Sequence, residues 1–182
     1  MGAVWWVLGF VCAALVIGAV TLVVYLSVKE SRARQHVLEN GEPTVGWVVQ
    51  ANTALFEKGN MDYPALVLIS PDPETADDEE FMTGLAERIM DLKGEEGDDE
   101  DEEFVSGLVT DERYREGKRD KLPKSFTGGR KVYLAHIWVV RDHLPRGKID
   151  RSYVHCSVVW DEPGTMIVTR PHRKKGRRRD EE

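Results

Sequence analysis

The chain has 182 residues, with 32 Asp and Glu against 25 Lys and Arg and a formal net charge of −7. One of its 2 cysteines lies in an apolar N-terminal stretch, so the rest of the chain has a single thiol and no partner for an internal disulfide. This composition excludes a disulfide-rich secreted scaffold, and no cysteine spacing resembles a zinc site.

Residues 3–28 contain no charged side chain and predict one membrane-spanning helix. A helix rises about 1.5 Å per residue and a hydrocarbon core is about 30 Å thick, so the stretch spans a bilayer with some tilt. Trp5 and Trp6 near one end and Tyr25 near the other are placed for the two interfacial aromatic belts. A cleaved signal peptide is disfavoured, because no basic residue precedes the run, the run is too long, and no small-x-small site ends it.

Positive charge follows the apolar stretch, where Lys29, Arg32 and Arg34 occur, and only the amino terminus precedes it. The positive-inside rule therefore predicts a single-pass protein of the cell membrane, with the N-terminus outside and the C-terminal domain in the cytoplasm. Within the helix, Ala14 and Gly18 form a small-x-x-x-small pair that allows two helices to approach closely. A homodimer through the transmembrane helix is one interpretation of this pair.

Beyond the anchor, about 150 residues remain, enough for one domain with its own hydrophobic core. A four-part organisation is expected. It consists of a transmembrane anchor 1–28, a polar juxtamembrane linker 29–43, a cytoplasmic α+β domain 44–169 and a basic disordered tail 170–182.

The domain is predicted to begin with two strands. Alternation over 44–51 indicates a strand with one apolar face, formed by Val45, Trp47, Val49 and Ala51. The continuous apolar run 65–69 is typical of a strand that is buried on both faces.

A helix capped by Asp72-Pro73 or by Thr75 is predicted next, with Asp77 and Asp78 in its acidic first turn and Gly94 just beyond its end. Apolar residues recur at helical spacing on one side and charged residues occupy the other, which indicates a surface helix that covers a sheet. The apolar positions are Phe81, Met82, Leu85, Ala86, Ile89 and Met90.

The dense acidic run 94–103 is expected to form a solvated, mobile loop, since like charges at this density repel one another. A second short helix follows it. The octapeptide Asp78 to Leu85 recurs 23 residues later as Asp101 to Leu108, with identical Asp, Glu, Glu, Phe, Gly and Leu. Two interpretations stay open: two helices with similar first turns, or a small duplication that makes two related docking edges.

The last third of the domain is predicted to be β. Residues 131–141 are apolar on both faces, as in an interior strand, and 152–160 and 165–169 form two further strands. Pro163-Gly164 fits the centre of a type II turn and makes the last two strands antiparallel neighbours. The fold class is therefore α+β, a mostly antiparallel sheet in the order β-β-α-α-β-β-β with its helices on one face.

Candidates for catalysis are sparse. His155 and Cys156 are adjacent, but consecutive strand residues point to opposite faces, so His155 cannot activate the thiol. His136, with His143 near it, reaches Cys156 only if the register of the strands allows, and a buried thiol beside a packed histidine is the simpler interpretation. We therefore assign no catalytic residue, and whether Cys156 and His136 are more than core residues stays open.

No metal or cofactor site is predicted. The acidic run lacks the ligand spacing of an EF-hand, because Val109 stands where the bidentate Glu would be needed, counting from Asp98. Phosphate loops, nucleotide-binding glycine patterns and the common hydrolase and metalloprotease motifs are also missing from the sequence.

The C-terminal tail, 170–182, carries a net charge of +4, which leaves −11 on the rest of the chain. Anionic lipid head groups are the preferred partner, because the anchor holds the tail near the bilayer. The chain's own acidic run comes second. Nucleic acid comes third, because the tail has no aromatic residue on which bases stack. The predicted lipid- or polyanion-binding residues are Arg173, Lys174, Lys175, Arg177, Arg178 and Arg179.

Together these features favour a membrane-tethered protein-interaction or adaptor domain of undetermined biochemical activity. Its acidic helices and loop would dock a protein partner of unknown identity, and its tail would contact the inner leaflet. Two alternatives stay open: a membrane-anchored, hydrolase-like enzyme whose site is assembled from distant residues, and a nucleic-acid binder that acts through the tail.

Overall fold

A computed structural model describes residues 2–51, 62–93, 99–110, 117–140, 143 and 152–171, without the side chains of residues 2–13, 62, 63 and 110. The chain divides into two compact units, Met1–His36 and Val37–Glu182. Each unit is described by itself below.

The described part of the chain contains five helices and six strands. In chain order they are α1 (Gly2–Asn40), β1 (Glu42–Ala51), β2 (Asp62–Ile69), α2 (Pro73–Ala76), α3 (Glu79–Asp91), α4 (Glu100–Thr110), β3 (Lys118–Lys121), α5 (Lys124–Thr127), β4 (Tyr133–Val140), β5 (Tyr153–Val158) and β6 (Val168–Arg170).

The first unit consists of α1 up to His36. Among the described side chains, the stretch Ala14–Asn40 is long and apolar enough to cross a membrane, with a mean hydropathy of 1.6. A signal sequence near an N-terminus meets the same criterion, so length and composition establish a candidate span and no orientation.

The predicted juxtamembrane linker, 29–43, is helical as far as Asn40, and β1 begins within it at Glu42. The last turn of α1 belongs to the second unit, where Val37 is fully buried. The N–H of Gly41 donates to the Val37 carbonyl at 2.8 Å, and a Cβ on Gly41 would lie 2.4 Å from that oxygen. A side chain at position 41 would therefore push the helix end away from the sheet.

The second unit is built on one antiparallel six-stranded sheet in the order β3-β4-β2-β1-β5-β6. This confirms the predicted α+β class, the interior position of β4 and the antiparallel pairing of β5 with β6. Sequence patterns missed β3, because its four residues, Lys118–Lys121, are charged and show no apolar alternation. The short helix α5 was missed for the same lack of a periodic signal, and α2 was expected only as the start of one longer helix.

The two faces of the sheet are both buried, but different material covers them. The buried residues of α3, α4 and α5 pack on one face, as predicted, together with Trp47, Leu66 and Leu134 from the strands. On the other face the sheet curls, so that strand residues such as Val67, Ala135 and Val154 pack against one another. We call this second cluster the concave core.

A β-bulge between Val48 and Gln50 changes which face the end of β1 presents. Val45, Trp47 and Val49 lie on the helix-covered face, whereas Ala51 packs against the concave core. The prediction that Ala51 shares a face with the other three is therefore wrong, since strict alternation ends at the bulge.

The curled sheet is held together at its open side by side chains. Arg119 of β3, 8% exposed, donates from Nη2 to the carbonyls of Val159 and Trp160, at 2.9 and 3.0 Å. Next to it, Gly117 has φ of 71° and approaches Met166 so closely that a Cβ would lie 2.3 Å from the Met166 Cα. Burial lowers the pKa of the Arg119 guanidinium. Beyond β4, His143 Nδ1 and Thr169 Oγ1 are 2.8 Å apart.

Two local predictions about helix and turn boundaries need correction. A helix does begin after Asp72, with Pro73 as the first residue of α2, but it ends at Ala76. Asp78 then caps a second helix, α3. In the connection between β5 and β6, the Thr165 N–H donates to the Glu162 carbonyl at 2.9 Å. Gly164 does not have the positive φ that a type II turn requires, so the predicted turn type is wrong.

Candidate interaction surface

The candidate catalytic residues are not brought together. Cys156 is fully buried in the concave core, and burial raises the pKa of its thiol to about 12. His155 pairs in register with Val45, which packs on the helix-covered face, so the prediction that His155 cannot activate Cys156 is confirmed.

The prediction that His136 could reach Cys156 across a strand pair is wrong. Strands β2 and β1 separate β4 from β5, and His136 lies opposite Leu66 on the helix-covered face. Within the described part of the chain, no group of three or more His, Cys, Asp and Glu side chains is arranged to hold a metal ion.

Within the described residues, negative charge is concentrated on the outward side of α3 and α4, which we call the acidic surface. Its carboxylates are exposed to solvent, and those of Glu79, Glu80, Glu100 and Glu103 lie in first turns, where negative charge stabilises a helix N-terminus. The carboxylates of the acidic surface belong to Glu79, Glu80, Glu87, Asp91, Glu100 and Glu103.

The second half of the acidic run is helical, so the expected loop through residue 103 is wrong there. Asp99 caps α4, its Oδ1 accepting the Glu102 N–H at 2.8 Å and its carbonyl accepting the Glu103 N–H at 2.9 Å. The carboxylates of the first turn thus meet the positive end of a helix dipole instead of only repelling one another. Residues 94–98, including the predicted helix-ending Gly94, lie outside the described residues.

The repeated octapeptide occupies the starts of α3 and α4, but its two copies begin at different positions relative to the helix start. Asp78 is the cap of α3, whereas its equivalent Asp101 lies inside the first turn of α4. Both nevertheless contact the segment around α5: Asp78 accepts from Arg130 at 2.7 Å, and Asp101 accepts from Ser125 Oγ at 2.5 Å. The repeat therefore places two equivalent carboxylates against one short segment of the same chain.

Two arginines beside the acidic surface are held against aromatic rings. The guanidinium of Arg88 lies 4.1 Å from the centre of the Phe126 ring, and that of Arg130 lies 4.1 Å from the centre of the Phe81 ring. Their positions are therefore set by ring contacts on the domain.

Large apolar side chains are exposed at two points of the described part of the second unit beyond α1. Phe104, in α4, is 46% exposed and follows Glu103 of the acidic surface directly. Tyr153 is 39% exposed, with its ring centre 5.6 Å from that of Trp47. Exposed aromatic side chains on a charged surface are common anchors in protein interfaces.

Two depressions lie next to α2 and α3. A cleft of about 210 Å³ includes Glu42, Asp77, His155 and Trp160 in its lining. A larger groove of about 340 Å³ runs between α3 and β1. Neither was predicted, because each forms only where elements distant in the chain come together.

Of the predicted membrane-interface residues, Trp5 and Trp6 lie in α1. Tyr25, Lys29 and Arg32 lie along one side of α1, as a helical spacing of three to four residues requires. Arg34 lies two residues before the end of the first unit. The predicted lipid- or polyanion-binding residues all lie outside the described residues; they are Arg173, Lys174, Lys175, Arg177, Arg178 and Arg179.

Comparisons with protein-family models, with curated proteins and with solved structures find no match to this chain.

Proposed function

We propose that the chain is a single-pass membrane protein whose C-terminal domain lies in the cytoplasm and docks a protein partner close to the bilayer. The apolar part of α1 supports the anchor, because its length and hydropathy suffice for a membrane span. Lys29, Arg32 and Arg34 directly after the apolar stretch support this orientation by the positive-inside rule.

The observation that carries the docking role is the acidic surface with Phe104 exposed beside it. The carboxylates make this surface negatively charged, and the large apolar side chain of Phe104 is exposed to solvent. A partner that offers basic side chains around an apolar pocket complements both features. The enzyme alternative has less support, because His136 and Cys156 lie on opposite faces of the sheet.

Charge reversal on the acidic surface tests the docking role. The full chain is purified from its own membranes with associated proteins, once unchanged and once with Glu100→Lys and Glu103→Lys. We expect a stoichiometric partner to be lost from the reversed variant and kept by Asp161→Lys, which reverses an exposed carboxylate between β5 and β6. Identical sets of associated proteins in all three preparations would refute the docking role.

The tail is proposed to contact anionic lipid head groups. Each Lys or Arg near such a surface contributes about 1 kcal/mol, and the anchor raises the local concentration of lipid around the tail. Gly176→Cys combined with Cys12→Ser in the full chain provides one position for a polarity-sensitive fluorophore, because the remaining thiol, Cys156, is buried. We expect a blue shift in vesicles that contain anionic lipid, none in neutral vesicles, and reversal at about 1 M salt, where the screening length is about 3 Å.

The orientation has its own test. Protease added outside intact cells should leave the C-terminal domain uncut, and the same protease should digest it once the membrane is permeabilised. Digestion in intact cells would place the domain on the outer side. A chain that is released from membranes by carbonate washing would lack the anchor altogether.

A further inference from the structure

The part of the chain that runs from β3 through α5 to β4 concentrates positive charge on a chain that is otherwise acidic. Residues 118–131 include six Lys or Arg and one Asp, a net charge of +5, whereas the whole chain carries −7. We call residues 118–131 the basic segment. The structure describes all of its residues.

Buried apolar side chains fix the basic segment to the domain. Leu122, Phe126 and Val132 are buried and pack on the helix-covered face. The N–H of Leu122 donates to the Val132 carbonyl at 3.0 Å, so the two ends of the connection lie side by side. Lys121 and Lys131 come directly before these two residues. Because consecutive strand residues point to opposite faces, both lysines point away from the helix-covered face.

Three lysines of the basic segment are available to a partner. Lys121, Lys124 and Lys131 are exposed, and among the described residues none of their amino groups has a hydrogen bond or an ion pair. Gly128 and Gly129, in the same turn, are exposed too, and a Cβ at either would meet nothing within 4 Å. The turn therefore presents cations beside open backbone.

The carboxylates that border these lysines are engaged elsewhere. Asp78 accepts from Arg130 at 2.7 Å, and Asp101 accepts from Ser125 Oγ at 2.5 Å. Asp120 lies 4.0 Å from the amino group of the lysine two residues before it. The positive charge of the three available lysines is therefore not cancelled by a direct partner.

We propose that the basic segment binds anionic phospholipid head groups of the membrane that holds the anchor. Lys121, Lys124 and Lys131 meet the negatively charged groups of the lipids, and the exposed glycine pair lets the turn approach them closely. This inference rests on the proposed anchor. It adds a lipid contact of the folded domain to that of the tail.

Lipid is the favoured partner because the anchor keeps it within reach. The first unit ends at His36 and the second begins at Val37. Only residues 29–36 lie between the apolar stretch and the second unit, and even fully extended, eight residues span about 28 Å. Such a tether raises the effective concentration of lipid around the domain. Clustered Lys and Arg bind an anionic membrane surface without needing a pocket.

Other polyanions fit the basic segment less well. Its single aromatic residue, Phe126, is buried beneath the guanidinium of Arg88, so within this fully described segment no ring is free to stack nucleic-acid bases. The segment also exposes no large apolar side chain, which the core of a protein interface would use.

Photocrosslinking from lipid to the full chain tests this inference. The chain is reconstituted into phosphatidylcholine vesicles that contain a minority of phosphatidylserine, and the photoreactive group is placed on one lipid or the other in parallel preparations. Chymotryptic peptides are then searched for bound lipid by mass spectrometry, because this digestion does not depend on lysine. We expect photoreactive phosphatidylserine to mark residues 118–131 and photoreactive phosphatidylcholine to mark them much less.

A charge-removal variant shows whether the lysines cause the marking. Lys121→Gln, Lys124→Gln and Lys131→Gln together should lower the yield in residues 118–131 at least about fivefold, since one Lys near an anionic surface already contributes about fivefold to binding. Exchanging the three arginines at 177–179 for Gln removes the same charge from the tail and should leave this yield unchanged. Circular dichroism confirms that both variants are folded.

Three results would overturn the inference. They are equal marking of the basic segment by the two lipids, unchanged marking in the lysine variant, and marking that is absent from residues 118–131. If the tail, 170–182, is marked in any of these cases, the proposed tail contact stands and only the basic segment fails. If neither region is marked, both lipid contacts fail, while the docking role keeps its separate test with Glu100 and Glu103.

A fluorescent single-stranded oligonucleotide tests nucleic acid as the other partner. It is added to the full chain in vesicles of phosphatidylcholine alone, and its anisotropy is measured. We expect no binding that depends on the three lysines. Binding that is lost in the lysine variant, together with no lipid marking of residues 118–131, would assign the basic segment to nucleic acid and overturn the inference.

Discussion

Arg130 donates from Nη1 to Asp78 Oδ2 at 2.7 Å, while the other carboxylate oxygen of Asp78 accepts the N–H of Phe81 at 3.1 Å. One side chain thus caps α3 and ties the helix to the segment that follows α5. The arrangement shows why the sequence repeat is informative: Asp101, the equivalent residue, contacts Ser125 in the same segment.

We expect the two roles of Asp78 to separate by mutation. Asp78→Asn keeps an acceptor for the cap and loses the ion pair, whereas Asp78→Ala loses both, so the midpoint of thermal unfolding should fall more for Ala than for Asn. Asp77→Ala, at the exposed neighbouring carboxylate, is the matched control. Equal midpoints for the Asn and Ala variants would show that the capping bond contributes nothing.

Asp78 also makes stability depend on pH. The hydrogen bond from Arg130 and that from the Phe81 N–H lower the pKa of its carboxyl below 3.8. A lowered folded-state pKa contributes stability above the unfolded value, and this stability is lost as pH falls below 3.8 through the folded value. Urea unfolding at a series of acid pH values should show this loss in the wild type and not in Asp78→Asn. A parallel decline in both proteins would assign the acid sensitivity to other carboxylates.

Replacing the glycines of the repeat by alanine should stabilise the protein, whereas the same change at the glycine beside β3 should destabilise it. Gly84 and Gly107 lie inside α3 and α4, and a Cβ at either meets nothing within 4 Å. Replacing each by Ala should raise the free energy of unfolding by about 0.5–1 kcal/mol, because Ala loses less backbone entropy in a helix.

Gly117→Ala is the contrasting variant. With φ of 71° and Met166 backbone 2.3 Å from the new Cβ, it should lower the free energy of unfolding. The left-handed backbone alone costs about 1–2 kcal/mol, and the contact adds to it. Chemical denaturation measures all three variants. If Gly117→Ala matched the wild type in stability, the close approach of Gly117 to Met166 would be wrong.

The thiol of Cys156 should be inert in the folded protein. Because it is fully buried with a pKa of about 12, thiol reagents should modify it only at the rate of unfolding. The raised pKa also makes the free energy of unfolding depend on pH. The unfolded state loses the thiol proton above pH 9.0, whereas the folded state keeps it up to about pH 12. The contribution of the thiol to stability is therefore complete below pH 9.0 and is lost between pH 9.0 and about 12. The loss should be about 1.4 kcal/mol per pH unit relative to Cys156→Ala. Rapid labelling under native conditions would contradict the buried position.

Arg119 should be essential to the closure of the curled sheet. Arg119→Met removes the guanidinium that donates to the carbonyls of Val159 and Trp160, at a total cost of about 1–3 kcal/mol. The cost is not doubled, because both residues are half-buried and the Val159 carbonyl still accepts the Glu162 N–H at 3.4 Å. Arg119→Lys keeps a charge without the planar guanidinium and should be intermediate. Hydrogen exchange at β6 should accelerate in both variants. If hydrogen exchange accelerated only in other strands, Arg119 would not be what holds β6 in place.

Periodicity found the elements that have an apolar pattern of their own. The strand at 65–69 and the strand containing Leu134 and Ala135 were predicted as buried on both faces, and both are interior. Lys118–Lys121 could not be found in this way, because pairing with β4 makes it a strand while its own residues are charged. The groove and the contacts of Asp78 and Asp101 join distant residues, which leave no local signal.

Thus the sequence by itself determined the apolar helix, the alternating strands, the amphipathic α3 and the concentration of negative charge at two helix starts, since each depends on neighbours within about two helical turns. The tertiary structure alone decided how those parts meet. The bulge turns Ala51 to the concave core, the strand order and the opposite faces of the sheet separate Cys156 from His136, and Arg119 joins β3 to the segment after β5. These outcomes depend on which strands pair and in what register, and long-range pairing is a property of the whole sheet.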